Sequence, residues 1–235
     1  MKAQRRLPSA RKALVLLTAL FLLGGAYVVY HANIEQGPTT PEAPLVEIPR
    51  KVTAEDHMLG NIDAPVQAIV YTDLECPYCK RFYDKTLPAL RQKFGDELLI
   101  VYRHYPLPSR PQGIPEAEAA ECVYTVGGDD AFWKFVDGVF AITPSNNAFD
   151  LALLSEVAVK SGVDKTAFKS CQRGTASGAR VRADMKDGAL VGVVLTPSIV
   201  LRRGHESVLV SGDYPARVEA AIEYLRSKES ELPQM

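Results

Sequence analysis

Cys76-Pro77-Tyr78-Cys79 places two cysteines two residues apart at the end of an apolar run. Such a pair can hold half of a zinc site, close a structural disulfide, or cycle between dithiol and disulfide. A structural zinc needs two further ligands. The other cysteines, Cys122 and Cys171, stand singly far along the chain, and none of His31, His57, His104 and His205 has ligand spacing to another. No metal site is therefore read from the sequence. A purely structural bridge at the exposed tip of a helix would be strained and labile. We favour the redox pair.

The elements around the pair support that choice. "VQAIVYT", Val66 to Thr72, is short, apolar and rich in β-branched and aromatic residues, which predicts a buried strand with Pro65 at its start. A helix is expected from Pro77 to about Phe94, with Tyr78, Phe82, Leu90 and Phe94 on one face. Pro77 suits the first helical turn, Pro88 predicts a kink and Gly95 a stop. Cys76 then lies where a strand feeds a helix N-terminus. Unpaired backbone N–H groups and the positive end of the helix dipole stabilise a thiolate there. Cys79, one turn on, can reach the same sulfur. Pro77 preorganises the turn and Tyr78 adds uncharged bulk.

"ELLIVYRHY", Glu97 to Tyr105, reads as a second buried strand, giving a right-handed strand–helix–strand unit with a parallel pair. From about 110 to 190 the chain changes to successive helical segments, with Asp150 and Asp164 as N-caps and Gly162 as a C-cap. Phe132, Trp133, Phe135 and Phe140 lie here. They could line a peptide-binding surface, but their helical spacing favours core packing. Strand chemistry returns at "VGVVL", Thr196-Pro197 and "SIVLRRGHESVLVSG", with a turn at Arg203-Gly204, and "YPARVEAAIEYLRSK" closes as an amphipathic helix.

These features resemble the thioredoxin-fold, DsbA-like thiol-disulfide oxidoreductases of the bacterial cell envelope. "DAPVQAIVYTDLECPYC", the helical insertion and "VVLTPSIVL" carry the resemblance, over about Val52 to Lys228. It implies an α/β thioredoxin fold with a helical insertion, Cys76 and Cys79 as the catalytic pair, and no cofactor. It also implies a cis Thr196-Pro197 bond facing Cys76, with Pro197 catalytic and Pro77, Tyr78 and Thr196 meeting an extended substrate. Two departures stand out. Relatives often carry a buried glutamate six residues before the first cysteine, where this chain has Val70; Asp73 or a water would have to move the proton instead. The residue before Thr-Pro, often glycine, is Leu195, which would narrow the groove. Second disulfides occur in some relatives, and we expect Cys122 and Cys171 to be bridged in an exported protein.

The 235-residue chain has an ordinary globular composition, 47% hydrophobic and 23% charged. Lys2, Arg5, Arg6, Arg11 and Lys12 are the only charges among the first 30 residues, which leaves the rest with a formal charge of −6. No basic stripe interleaved with aromatics points to nucleic acid. After the basic tail, 1–12, the 18 uncharged residues Ala13 to Tyr30 would rise about 27 Å as a helix, close to a bilayer's hydrocarbon thickness. A cleaved signal peptide ending at Gly24-Gly25-Ala26 competes, but the apolar run continues to Tyr30, so we favour a single-pass anchor in the cytoplasmic membrane. Either way the domain is exported to the periplasmic side. Residues 31–51, with Pro38, Pro41, Pro44 and Pro49, read as an extended linker, 52–228 as the folded domain and 229–235 as a tail.

The expected activity is disulfide formation in exported cysteine-containing polypeptides, with an integral-membrane redox partner, as the resemblance implies. A reductase or isomerase would use the same residues. A membrane-tethered binding or chaperone module, whose cysteines only stabilise the fold, is the rival from another class.

Overall fold

The computed structural model describes residues 50–227. The basic tail, the expected membrane span at 13–30, nearly all of the linker and the 229–235 tail lie outside these residues. Among the described residues no helix is long and apolar enough to cross a membrane.

The centre is a five-stranded mixed sheet. Strand β1 is His57–Leu59, β2 is Val66–Thr72 and β3 is Leu98–His104, while β4, Ser198–Arg203, and β5, Glu206–Ser211, form a hairpin. The spatial order is β1-β3-β2-β4-β5. Strands β2 and β3 are parallel, as expected of a strand–helix–strand unit, and the other neighbours are antiparallel.

Alternation along the strands builds a core on each face. Val66, Ala68 and Val70 of β2 pack with Leu98 and Ile100 of β3, Ile199 and Leu201 of β4, and the helices that follow β2 and β5. Ile69 and Tyr71 point the other way, onto Leu99, Val101, Val191 and Val200. Both faces are covered, so the strands read as continuous apolar runs.

The helix after β2 is α1, Pro77–Arg81, continued by a π turn, Phe82–Thr86, and α2, Leu87–Phe94. The expected kink at Pro88 takes this form. Proline has no N–H to give the carbonyl four residues earlier, and the wider turn lets Leu87 N–H bond Phe82 instead. Gly95, at φ 50°, ends the helix.

The insertion comprises α3, Gly113–Ile142, α4, Leu154–Lys160, α5, Lys165–Gln172, and α6, Ala176–Leu190. Helix α3 breaks direction at Gly128, whose φ of 76° and ψ of −169° are not helical. Asp150 and Asp164 cap their segments by accepting from Ala152 and Ala167 N–H, and Gly162 turns the chain at φ 98°. Phe132, Trp133, Phe135 and Phe140 are buried in the insertion's core, the packing role favoured above. Helix α7, Pro215–Ser227, returns to the sheet.

Two elements differ from the sequence reading. Val191 to Leu195 is not a strand: Gly192 sits at φ 85°, and β4 begins only after Pro197. Strand β1 was not anticipated.

Candidate active site

Cys76 is the N-cap residue of α1, with extended backbone at φ −89° and ψ 119°, and Pro77 occupies the first helical turn. Lys80 N–H bonds the Cys76 carbonyl at 3.0 Å, so the backbone is already helical one turn on. Cys79 therefore returns to the same side as Cys76. Both thiols are free and buried, whereas Tyr78 between them is 54% exposed.

The Thr196-Pro197 peptide bond is cis. It brings the Thr196 carbonyl to 3.2 Å from the Cys76 sulfur, where it accepts from the thiol. The Thr196 hydroxyl is buried without a hydrogen-bond partner. A Cys79 side-chain hydrogen bond, opposed by burial and assisted by Thr196 and the charge of Arg110, lowers the Cys76 pKa to about 6. Cys79 behaves oppositely. Burial, then its hydrogen bond and charge interaction with Cys76, raises its thiol well above the ordinary value. The two sulfurs are thus unequal: Cys76 is the thiolate at neutral pH and Cys79 retains its proton.

Carboxyl groups lie behind the pair. Asp73 accepts from Glu75 N–H at 2.9 Å, Leu107 N–H at 3.1 Å and Arg110 Nη1 at 2.9 Å, yet burial still raises its pKa. A Cβ at Gly113 would come within 2.8 Å of its Oδ1, so glycine there lets α3 start against the carboxylate. Glu75 accepts from Asn147, Ala148 and Phe149 N–H. The preceding backbone, Ser145, Asn146 and Asn147 at φ 62°, 56° and 67°, curls into a left-handed run that points these donors inward. The carboxylate next to Cys76 therefore ties the redox turn to the loop after α3. Glu116 of α3 is fully buried, with no donor on either oxygen. Burial, then the nearby Glu75 and Asp73, push its pKa up to about 9.

Val70, at the position where relatives carry a glutamate, lines a small cavity beside Cys79, Thr72 and Tyr102. The buried Tyr102 hydroxyl has no partner. On the outer side, Tyr78, Arg81, Arg110, Leu195, Thr196 and Tyr214 border an open groove of about 460 Å³. Leu195 is 40% exposed and forms part of the groove's wall.

The structure thus brings Cys76, Cys79, Pro77, Tyr78, Thr196 and Pro197 to one end of the sheet. Cys122 and Cys171 are joined in a disulfide that ties α3 to α5, and Cys122 packs in the same buried cluster as Cys76 and Cys79. Sequence reasoning did not find Glu75 or Glu116, since an isolated carboxylate carries no motif. Nor did it foresee that His57 and His104 meet around Glu121, because the spacing of 47 residues between them hides a meeting made by two paired strands.

A mixed sheet with a Cys-x-x-Cys on the first turn of the helix after β2, opposed by a cis proline, defines a thioredoxin-type domain. The family model described as "Thioredoxin" matches residues 52–208, and the chain belongs to that family. Solved structures share the fold. Pseudomonas aeruginosa DsbA2 aligns with a TM-score of 0.64 at 23% identity, covering 75% of this chain and 97% of that one. Bacillus subtilis BdbD in its oxidised form gives 0.65 at 20% identity, covering 78% and 97%. Wolbachia pipientis alpha-DsbA1 gives 0.63 at 24%, covering 77% and 95%. Curated relatives include a Na(+)/H(+) antiporter NhaA of Herminiimonas arsenicoxydans, 29% identical over 209 residues, which are 88% of this chain and 32% of that protein. Another is Na(+)/H(+) antiporter NhaA 1 of Mycolicibacterium gilvum (strain PYR-GCK), 30% identical over 163 residues, 68% of this chain and 25% of that protein. The chain spans a third or less of these relatives, and the ion transport in their names is not carried over to it.

Proposed function

We propose that the protein is a thiol-disulfide oxidoreductase that forms disulfides in exported, cysteine-containing polypeptides. The observation that carries this reading is the geometry of the pair: Cys76 caps α1 with its sulfur 3.2 Å from the Thr196 carbonyl before the cis proline, and Cys79 is buried one turn on, which lowers the first thiol and raises the second. Lowering one thiol's pKa stabilises the dithiol form over the disulfide and makes the disulfide an oxidant.

In the oxidised enzyme a substrate thiolate attacks the Cys76 sulfur, the Cys76–Cys79 bond breaks, and a mixed disulfide to Cys76 forms. Cys79 leaves as a thiolate and takes up a proton, as its raised pKa requires. A second substrate thiolate then attacks the substrate sulfur of the mixed disulfide and expels Cys76. Two electrons pass from substrate to enzyme. The extended substrate lies in the groove beside Pro197, where proline's missing N–H leaves the Thr196 backbone open for pairing. Asp73, or a water in the cavity beside Val70 and Tyr102, supplies the proton to Cys79.

Turnover needs a separate oxidant, for which an integral-membrane redox partner is the fitting class. The apolar segment 13–30 would anchor the chain in the cytoplasmic membrane, with the catalytic domain on the periplasmic side. Incubating the oxidised protein with a reduced two-cysteine peptide tests the reaction. Peptide disulfide should appear as enzyme thiols appear, one for one, and Cys76→Ser should abolish it. A binding module would keep peptide affinity in Cys76→Ser and transfer no electrons in either form.

A further inference from the structure

Away from the cysteine pair, His57 of β1, His104 at the end of β3 and Glu121 of α3 converge in the interior. All three are buried. Glu121 Oε1 lies 2.9 Å from His57 Nε2 and 3.2 Å from His104 Nε2, and the three candidate ligand atoms fall within 4.8 Å of one another. Ligands on a tetrahedral zinc with bonds of about 2.0–2.1 Å sit roughly 3.3 Å apart. Two edges of that figure are already close to this length.

The polar bookkeeping around the cluster does not close. His104 has no aligned hydrogen bond on either ring nitrogen, and the buried His57 Nδ1 and Asp129 Oδ1 have no aligned hydrogen bond either. Buried polar atoms in native folds are nearly always paired. His57 Nδ1 and Asp129 Oδ1 lie 3.4 Å apart, on the ring edge opposite Glu121. That is the place of the carboxylate that orients a metal-bound histidine from behind. Asp129 is half-exposed and adjoins the break at Gly128. Arg180, the nearby cation, is occupied by Asp56 and Asp184 at 3.5 and 3.6 Å.

We propose that His57, His104 and Glu121 form a binding site for a divalent late transition metal, with zinc the best fit to two imidazoles and a carboxylate. A water completes the coordination, and Asp129 positions His57. The ion clamps the insertion helix α3 to strands β1 and β3. This site is independent of the redox reading.

The test uses the full chain carrying Cys76→Ser and Cys79→Ser, so that zinc cannot be held by the thiols. Zinc chloride is added, bound metal is counted after dialysis, and X-ray absorption reports the ligands. The expected result is one tightly held zinc with nitrogen and oxygen ligands only, and a raised melting temperature. Asp129→Asn, a substitution near the surface, should weaken binding about tenfold or more, and His104→Ala should abolish it. Absence of bound zinc from the double-serine protein overturns the site. So does undiminished binding in a folded His104→Ala protein. If His104→Ala fails to fold, the absorption spectrum decides: ligation without imidazole overturns the proposal.

Discussion

The Thr196 carbonyl oxygen and the Cys76 sulfur stand 3.2 Å apart, although 120 residues separate them in sequence. That contact sets the geometry on which the chemistry depends, because it aims a cis-proline loop at the first sulfur of the pair.

The Thr196 hydroxyl is buried without a hydrogen-bond partner, which leaves it to donate to the Cys76 thiolate, whose pKa the Thr196 side chain helps to lower. Replacing it in Thr196→Val keeps shape and removes the donor. The alkylation rate of Cys76 should show a midpoint near pH 6 in the native protein, moved up by about one unit in the variant, equivalent to about 1.4 kcal/mol of lost hydrogen bonding. An unmoved midpoint would remove Thr196 from the thiolate's support.

Burial separates the roles of the two cysteines. In Cys79→Ser, a peptide bearing an activated disulfide should be captured as a stable mixed disulfide at Cys76, since the resolving thiol is gone. Cys76→Ser should capture it at least about a hundredfold more slowly at pH 7, because a thiol with a raised pKa supplies little thiolate. Mass spectrometry of the adducts reads both results.

Glu116 enters the fold with its pKa raised from 4.5 to about 9. The folded state therefore binds a proton that the unfolded state has released, and stability falls as pH rises between those values. The slope from this one group is about 1.4 kcal/mol per pH unit at most. Glu116→Gln keeps a donor toward Glu75 and removes the titration. Denaturant melts at pH 5 and pH 8 should show the variant gaining stability over the native protein as pH rises; a constant difference would contradict the burial of an acid at this position.

The Cys122–Cys171 disulfide closes a loop with a sequence separation of 49. On the chain-entropy model its removal in Cys122→Ser/Cys171→Ser costs about 4 kcal/mol. Neither half of the bridge is among the groups that shift the Cys76 thiol, which are Cys79, burial, Thr196 and Arg110, so the Cys76 alkylation midpoint should stay where it is. A shift would reveal coupling between the insertion core and the redox turn.

Local patterns made much of this legible. The strand-to-helix junction at Cys76 rests on a β-branched run followed by proline at a helix start, and the caps at Asp150 and Asp164 act within three residues of themselves. Strand β1 stayed hidden because three residues, His57 to Leu59, are too few to show a period. Val191 to Leu195 has strand composition, but Gly192 takes a left-handed turn and leaves Val194 77% exposed. The carboxylates behind the pair and the His57–His104–Glu121 cluster come from residues brought together by the tertiary fold. Each is an ordinary residue in sequence, and only its burial makes it chemically unusual.

The most direct measurement is the redox equilibrium of Cys76 and Cys79 in glutathione buffers, read by thiol alkylation and mass. A thiolate of pKa about 6 is more stabilised than thioredoxin's at about 7, and one such unit is worth about 30 mV in a two-electron couple, so the pair should be a reversible couple about 30 mV or more above thioredoxin's potential of about −270 mV, toward the roughly −120 mV of a strong oxidant. A couple near about −270 mV would contradict the disulfide-forming direction and make the protein a reductase. No reversible couple at all would contradict the redox function itself.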